Sequence, residues 1–190
     1  MKCLLCKRYS FFHICKNCQQ KHLQPSLIRR KLFGELEVIS FYRYSQIKEL
    51  LHTKHTDLGY HIYTILARNS FANFAKEFKH EREIAVLGID EKSKGLYSHT
   101  AILAKHCKAK YLSPQHARLI AQNDISYSGK SKAFRLQNPR DFTLKPFACK
   151  ECIVVDDIIT TGTTLSEAVT TLAKAGKETL LCLTLADARD

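Results

Sequence analysis

Four cysteines open the chain in two matched pairs, Cys3-x2-Cys6 and, after eight intervening residues, Cys15-x2-Cys18. This spacing lets a small ribbon wrap one tetrahedral Zn²⁺ through four thiolates. About twenty residues cannot bury a core of their own, so the metal would supply the folding free energy that burial cannot. Iron–sulfur ligation uses the same residue type, and a dithiol redox pair needs only one CxxC. Two matched pairs with no other ligand or redox context favour a closed structural zinc site. His13 and His22 lie nearby, but the cysteines complete the set, and the histidines read as surface residues. A third pair, Cys149 and Cys152, stands directly before a strand rather than at a helix N-terminus, where thioredoxin-type chemistry lowers a thiol pKa. It reads as a loop cysteine and a buried strand cysteine, with Cys107 and Cys182 as core residues.

The second chemical cluster is Ile153-Val154-Val155-Asp156-Asp157-Ile158-Ile159-Thr160-Thr161-Gly162-Thr163-Thr164. An apolar strand delivers two adjacent carboxylates to its C-terminal edge, and a loop of small hydroxyl residues around a glycine then enters a helix. Open α/β sheets bind ligands at this place. N–H groups of the loop and of the first helical turn converge on one point at the positive end of the helix dipole, which suits a phosphate. Asp156 and Asp157 suit vicinal sugar hydroxyls, for which carboxylates are natural acceptors. Thr164 to Glu167 reads as a capping box, and Leu165, Ala168, Val169, Leu172 and Ala173 mark a buried helical face that Gly176 closes. Gly129-Lys130-Ser131 matches the end of a Walker A loop, but Asp124 replaces its first glycine and no strand precedes it.

The elements that would position these groups alternate from Glu37 onward. Strands are expected at Val38–Tyr44, Ile84–Ile89, about Ala109–Leu112, Cys152–Val155 and Thr179–Leu185, and helices at Gln46–Lys54, within His61–Lys79, at Ser98–His106 and at Thr164–Ala175. Strands alternating with helices mean a parallel α/β sheet. The polar run Ser113–Pro146 shows no period, and a run that long inside a domain reads as a lid or binding loop.

Composition excludes several classes. Of the 190 residues 45% are hydrophobic and 25% charged, which rules out disorder and low-complexity chains. No window approaches ~18 consecutive apolar residues, and the N-terminus is too polar for a signal peptide, so a cytosolic protein is expected. The formal charge of +12 is clustered: residues 1–33 hold eight bases and no acid, residues 105–150 hold ten bases and two acids, and residues 151–190 hold seven acids and three bases. Such clustering suits a polyanion or an anionic phosphate ligand. Tyr9, Phe11 and Phe12 interleave with the first cluster and Tyr111, Tyr127 and Phe134 with the second, as in proteins that stack bases beside phosphate contacts.

The Ile153–Thr164 stretch resembles the phosphoribosyl diphosphate (PRPP) signature of type I phosphoribosyltransferases. The resemblance implies that Asp156 and Asp157, the catalytic pair, contact the ribose hydroxyls, that Thr160, Thr161, Gly162, Thr163 and Thr164 cradle the 5-phosphate, and that Mg²⁺ bridges sugar and pyrophosphate. Joined to a four-cysteine ribbon, this signature resembles the ComF family of competence proteins over nearly the whole chain. Lys94-Gly95-Leu96-Tyr97 occupies the place of that family's Arg-Gly-Phe-Asn turn, with Lys92 and Lys94 toward pyrophosphate. Ser128, Ser131, Lys132, Arg135, Asn138 and Phe142 resemble its flexible segment. Its Pro-Val-Pro stretch is replaced by Leu87–Glu91, whose acids Asp90 and Glu91 would weaken pyrophosphate binding unless Lys92 and Lys94 offset them. The resemblance implies a zinc ribbon and basic linker over 1–33 and a phosphoribosyltransferase-like α/β domain over 34–190. It implies a cytoplasmic factor at the inner face of the membrane that receives single-stranded DNA in natural transformation, with inner-membrane DNA import components as partners. Lys7, Arg8, Lys16, Arg29, Arg30, Lys31, Lys130, Lys132 and Arg135 would contact the DNA. The second class is phosphoribosyl transfer to a nucleobase, nucleotide or other acceptor, for which the residues identify neither a base pocket nor a general base.

Overall fold

Near-continuous apolar runs in the central strands require burial on both faces, and the architecture supplies it. The computed structural model describes residues 1–91, 97–123, 125 and 131–189, with the backbone alone of Lys132, Arg135 and Leu136. The cysteine-rich turns lead into α1 (Lys16–His22), then a hairpin of β1 (Ile28–Leu32) and β2 (Leu36–Arg43). Next come α2 (Tyr44–Leu51), α3 (Asp57–Asn69), α4 (Phe71–Glu77), β3 (Ile84–Glu91) and α5 (His99–His106). Four short elements follow: β4 (Leu112–Pro114), β5 (Leu119–Ala121), α6 (Lys132–Gln137) and β6 (Phe142–Leu144). The chain closes with β7 (Glu151–Ile159), α7 (Thr163–Lys174) and β8 (Glu178–Asp187).

The strands form one sheet in the order β1-β2-β8-β7-β3-β5-β6, with β4 also on β3. All pairings are parallel except β1 with β2 and β5 with β6. Alternate residues of β3 and β7 separate onto the two faces. Ile84, Val86, Ile153 and Val155 pack under α2 to α5 through Ile47, Leu51, Ile62, Leu66, Phe71 and Leu103. Ala85, Leu87, Cys152 and Val154 pack under α7 through Leu165, Ala168 and Leu172. The mixed α/β architecture with a mostly parallel sheet is the one that the strand–helix alternation predicts.

The N-terminal ribbon is part of the first core, because Cys3, Ile14, Cys18 and Leu23 are buried in it beside Phe41 and Tyr42. Asn69 Nδ2 donates to Gln19 Oε1 at 3.2 Å, and the rings of His13 and His61 lie 4.7 Å apart. His13 is thus half-buried rather than a surface residue, whereas His22 is exposed. The basic stretch after the ribbon contains β1, so the expected boundary between residues 33 and 34 falls at the turn of the β1–β2 hairpin.

Other sequence expectations give way for physical reasons. Where one helix is expected within His61–Lys79 there are two, separated at Ser70, whose hydroxyl and N–H both bond to the Leu66 carbonyl and whose backbone turns at φ −120° and ψ −77°. The turn inserts Phe71 into the core, 4.7 Å from Phe41. The strand expected about Ala109–Leu112 is a turn closed by reciprocal backbone bonds, and the strand proper begins at Leu112. The run 113–146, expected to be structureless, contains β4, β5, α6 and β6 among its described residues; strands of three residues are too short for a two-residue period to register. Lys92, Ser93, Lys94, Gly95, Leu96, Asp124, Ser126, Tyr127, Ser128, Gly129 and Lys130 lie outside the described residues. Among the described residues no helix is long and apolar enough to cross a membrane.

Candidate functional site

β7 lies between β8 and β3 in the middle of the sheet, so the loop at its C-terminal end sits over the centre of the fold. Gly162 turns that loop with φ +81°, in the left-handed region that favours glycine. A Cβ there would stand 2.6 Å from Leu32 Cδ2 of β1, which would have to shift, but it is the backbone conformation that demands glycine. Thr161 and Thr163 share a hydrogen bond between their hydroxyls at 2.8 Å. Gly162 is itself the N-cap of α7 and offers no side-chain cap, which leaves first-turn N–H groups as donors for an anion. The expected Thr164–Glu167 capping box does not form, because the helix starts two residues before that register requires. Glu167 instead accepts the N–H groups of Arg140 and Asp141 at 2.8 and 2.7 Å. Leu165, Ala168 and Leu172 are buried as expected, while Ala173 is exposed, and Gly176 ends the helix at φ +72°. A groove of about 1010 Å³ leads from Thr161 and Thr163 along α7 to Asn123 and Asn138.

Below the loop stand the two acids. Asp157 Oδ2 faces Lys54 Nζ at 3.2 Å and His99 Nε2 at 3.4 Å, and the Asp157 N–H donates to Asp156 Oδ1 at 2.8 Å. Burial would raise the Asp157 pKa, but the Lys54 ammonium and His99 outweigh it and hold the carboxyl at about 2. Burial and the Asp157 charge instead push Asp156 well above the usual carboxylate range. Lys54 is raised, chiefly by the Asp157 charge. His99, packed edge-on by Tyr63 and His55 at 5.5 Å each, is lowered by burial and stays neutral near pH 7. Two carboxylates of unequal proton affinity thus share one strand end, the arrangement by which sites assign different tasks to like groups.

Of the acids that replace the Pro-Val-Pro stretch, Asp90 is tied up within the fold, whereas exposed Glu91 lies close enough for its charge to act on Lys54 and His99. Asp90 is buried and accepts Ser98 Oγ at 2.5 Å, the Ala117 N–H at 3.0 Å and Thr100 Oγ1 at 3.3 Å. Glu91 pairs with Arg140 at 3.4 Å.

The four N-terminal cysteines form the second constellation, with all their Sγ atoms within 4.8 Å of one another and those of Cys6 and Cys15 at 3.8 Å. A tetrahedron with metal–sulfur bonds of ~2.3 Å has an edge of ~3.8 Å, so the set fits a tetrahedral metal ion. Lys7, at φ +61°, donates its N–H to the Cys3 carbonyl at 3.0 Å and closes the first knuckle. Burial raises both other paired thiols, Cys152 to about 11, so Cys149 and Cys152 offer no reactive thiolate; Cys107 and Cys182 are buried core residues as expected.

The residues expected to meet DNA are not all brought together. Lys7, Arg8 and Lys16 are exposed on the ribbon. Arg29 and Lys31 point outward from β1, with Arg29 on Glu37 at 2.6 Å. Arg30 points inward, its side chain only 10% exposed, and donates to the Thr160 carbonyl at 2.9 Å and to Asp187 at 3.2 Å, so it is withdrawn from the surface. The side chains of Lys132 and Arg135, like Lys130, lie outside what the structure describes. Tyr9 and Phe11 are 87% and 97% exposed. Sequence reasoning missed Lys54 and His99, because Lys54 is joined to Asp157 across 103 residues and no spacing announces it.

A family model described as the phosphoribosyl transferase domain matches residues 60–190. Hypoxanthine phosphoribosyltransferase from Staphylococcus aureus is 18% identical, with 66% of this chain and 62% of that one covered and a TM-score of 0.41. The chain thus spans about three fifths of that protein's length. Orotate phosphoribosyltransferase from Aeropyrum pernix is 18% identical over 90% of this chain and 80% of its own, with a TM-score of 0.40. Adenine phosphoribosyl transferase from Trypanosoma brucei, solved with AMP, pyrophosphate and ribose-5-phosphate, is 12% identical over 85% and 86%, with a TM-score of 0.44. No curated protein matches the chain.

The Lys54–Asp157 pair sets a pH dependence. A carboxyl held at about 2, against an ordinary 3.8, contributes stability that is full above pH 4 and is lost as pH falls toward 2. Lys54→Met should therefore lower stability at pH 7 by on the order of 1 kcal/mol, a value reduced by the partial exposure of the lysine. The deficit should close between pH 4 and 2, and urea unfolding across that range measures it.

Proposed function

The chain belongs to the phosphoribosyl transferase domain family, and from that premise we propose that it binds PRPP with Mg²⁺ at the end of β7 while its zinc-bearing ribbon holds single-stranded DNA. The observation that carries the first part is the adjacent pair of half-buried Asp156 and buried Asp157 directly beneath a glycine-turned threonine loop and a helix start without a side-chain cap. The 5-phosphate takes the N–H groups of Thr160 to Thr164, and the acids take the ribose hydroxyls. Mg²⁺, when bound with the sugar diphosphate, neutralises charge on the departing pyrophosphate. Asp157 reaches the ligand already ionised, because Lys54 keeps its proton off, while Asp156 meets it with the higher proton affinity that burial and the Asp157 charge impose.

The second part rests on exposed rings set among cations. Tyr9 and Phe11 stand almost wholly in water beside Lys2, Lys7 and Arg8, an arrangement that stacks bases while neutralising phosphates. A ribbon of this kind on this domain supports the ComF reading: a cytoplasmic factor in natural transformation, working with DNA import components of the inner membrane.

Thermal melts test the ligand. The unsubstituted chain should gain ~2.7 kcal/mol at a hundredfold excess of PRPP–Mg²⁺ over Kd. The Asp156→Asn, Asp157→Asn double variant should fold and lose that gain; a variant responding like its parent would remove the acids from the site. For the metal, elemental analysis should find one zinc per chain, reduced by Cys15→Ser, and chelation should lower the melting temperature of the whole fold because Ile14 and Cys18 belong to the main core. For DNA, affinity should fall steeply with salt. Phe11→Ala should weaken binding by ~1–3 kcal/mol with the salt slope unchanged, whereas Lys7→Ala should flatten that slope. Salt-independent binding would overturn this part.

A further inference from the structure

The family match begins at residue 60, yet the phosphate loop is held from below by β1, which ends at Leu32. Arg30 is the centre of that support. Its guanidinium is withdrawn from water and donates through Nη1 to the Thr160 carbonyl at 2.9 Å and to Asp187 Oδ1 at 3.2 Å. The Asp187 side chain is 1% exposed and is held further by the Arg189 N–H at 2.9 Å. A cation buried this far is stable only with such partners, and the partners fix its position. The ends of β7 and β8 are joined by the Ala188 N–H on the Ile159 carbonyl at 2.9 Å, so Arg30, Asp187 and Thr160 stand in one frame.

We infer that Arg30 is a positioning residue for the anion site, and that the β1–β2 hairpin ahead of the family-matched stretch completes that site. The reason is peptide geometry. A trans peptide is a rigid plane with its C=O and N–H on opposite sides. Holding the Thr160 carbonyl down toward Arg30 therefore turns the Thr161 N–H up, away from β1 and into the loop where the phosphate would sit. Leu32 fills the space beneath Gly162, with Cδ2 2.6 Å from where a Cβ would stand, and prevents the loop from sinking. Arg30 itself lies on the underside of the loop and acts on the ligand only through the backbone.

This inference rests on reading Thr160–Thr164 as the phosphate loop, and the test separates the two. Calorimetric titrations with inorganic phosphate and with PRPP–Mg²⁺ are run on the unsubstituted chain, on Arg30→Lys, on Arg30→Met and on the Asp156→Asn, Asp157→Asn double variant. Arg30→Lys keeps a charge for Asp187 but ends one bond short of the Thr160 carbonyl. It should melt within a few degrees of the parent, with Kd for phosphate and PRPP raised in equal proportion, about tenfold. The acid double variant should lose PRPP and keep phosphate. Arg30→Met should lose both ligands; should it fail to fold, Arg30→Lys decides. Parental affinity in Arg30→Lys, or a loss that merely follows a collapsed melting temperature, overturns the inference alone. An unsubstituted chain that binds neither ligand overturns the phosphate-loop reading, and the inference with it.

Discussion

Two adjacent carboxylates at the end of a buried central strand cannot both stay charged without a cation close by, and much of the molecule is arranged around that requirement. Asp157 is satisfied by Lys54, which arrives in the connection between α2 and α3, and by His99 at the start of α5. Asp156 keeps its proton affinity instead. The region before residue 60 is therefore no appendage. It supplies a counter-charge for Asp157 through Lys54 and holds the loop after β7 through Arg30, which donates to the Thr160 carbonyl.

The same economy explains the ribbon. A basic, cysteine-rich stretch with no acid in its first 33 residues could stand apart as a tethered module. It packs into the main core instead, with Ile14 and Leu23 buried among residues of β2 and α3. Its apolar interior faces the domain, and its rings and cations face outward. A metal tetrahedron at that junction would fix the ribbon and the helical face beneath it together.

What the residues disclosed follows from how local each interaction is. The β7–α7 turn was legible because strand, acids, threonines, glycine and helix are contiguous, and the cysteine cluster because its ligands come in paired short spacings. The parallel sheet followed from apolar runs in β3, β7 and β8. β1 was not legible, since Ile28-Arg29-Arg30-Lys31-Leu32 has basic residues at its centre and reads as a charged linker; only pairing with β2 shows Arg30 facing inward and its neighbours outward. Lys54, His99 and Asp187 act across the fold with no periodic or spaced signal. The capping box misled because a left-handed glycine starts α7 earlier than the Thr164 register requires.

The sheet order also bears on how the chain is made. β2 pairs in parallel with β8, and the buried hydroxyls of Ser40 and Thr184 meet at 2.7 Å across 144 residues. β2 therefore lacks its second neighbour in the sheet until β8 is made. At ~5–20 residues per second that interval is on the order of ten seconds, during which β2 exposes an unpaired apolar edge. A ribbon that closed on its metal early would tie down the start of the chain through that wait, whereas loss of the ten residues of β8 would leave β2 held by β1 alone and β7 by β3 alone.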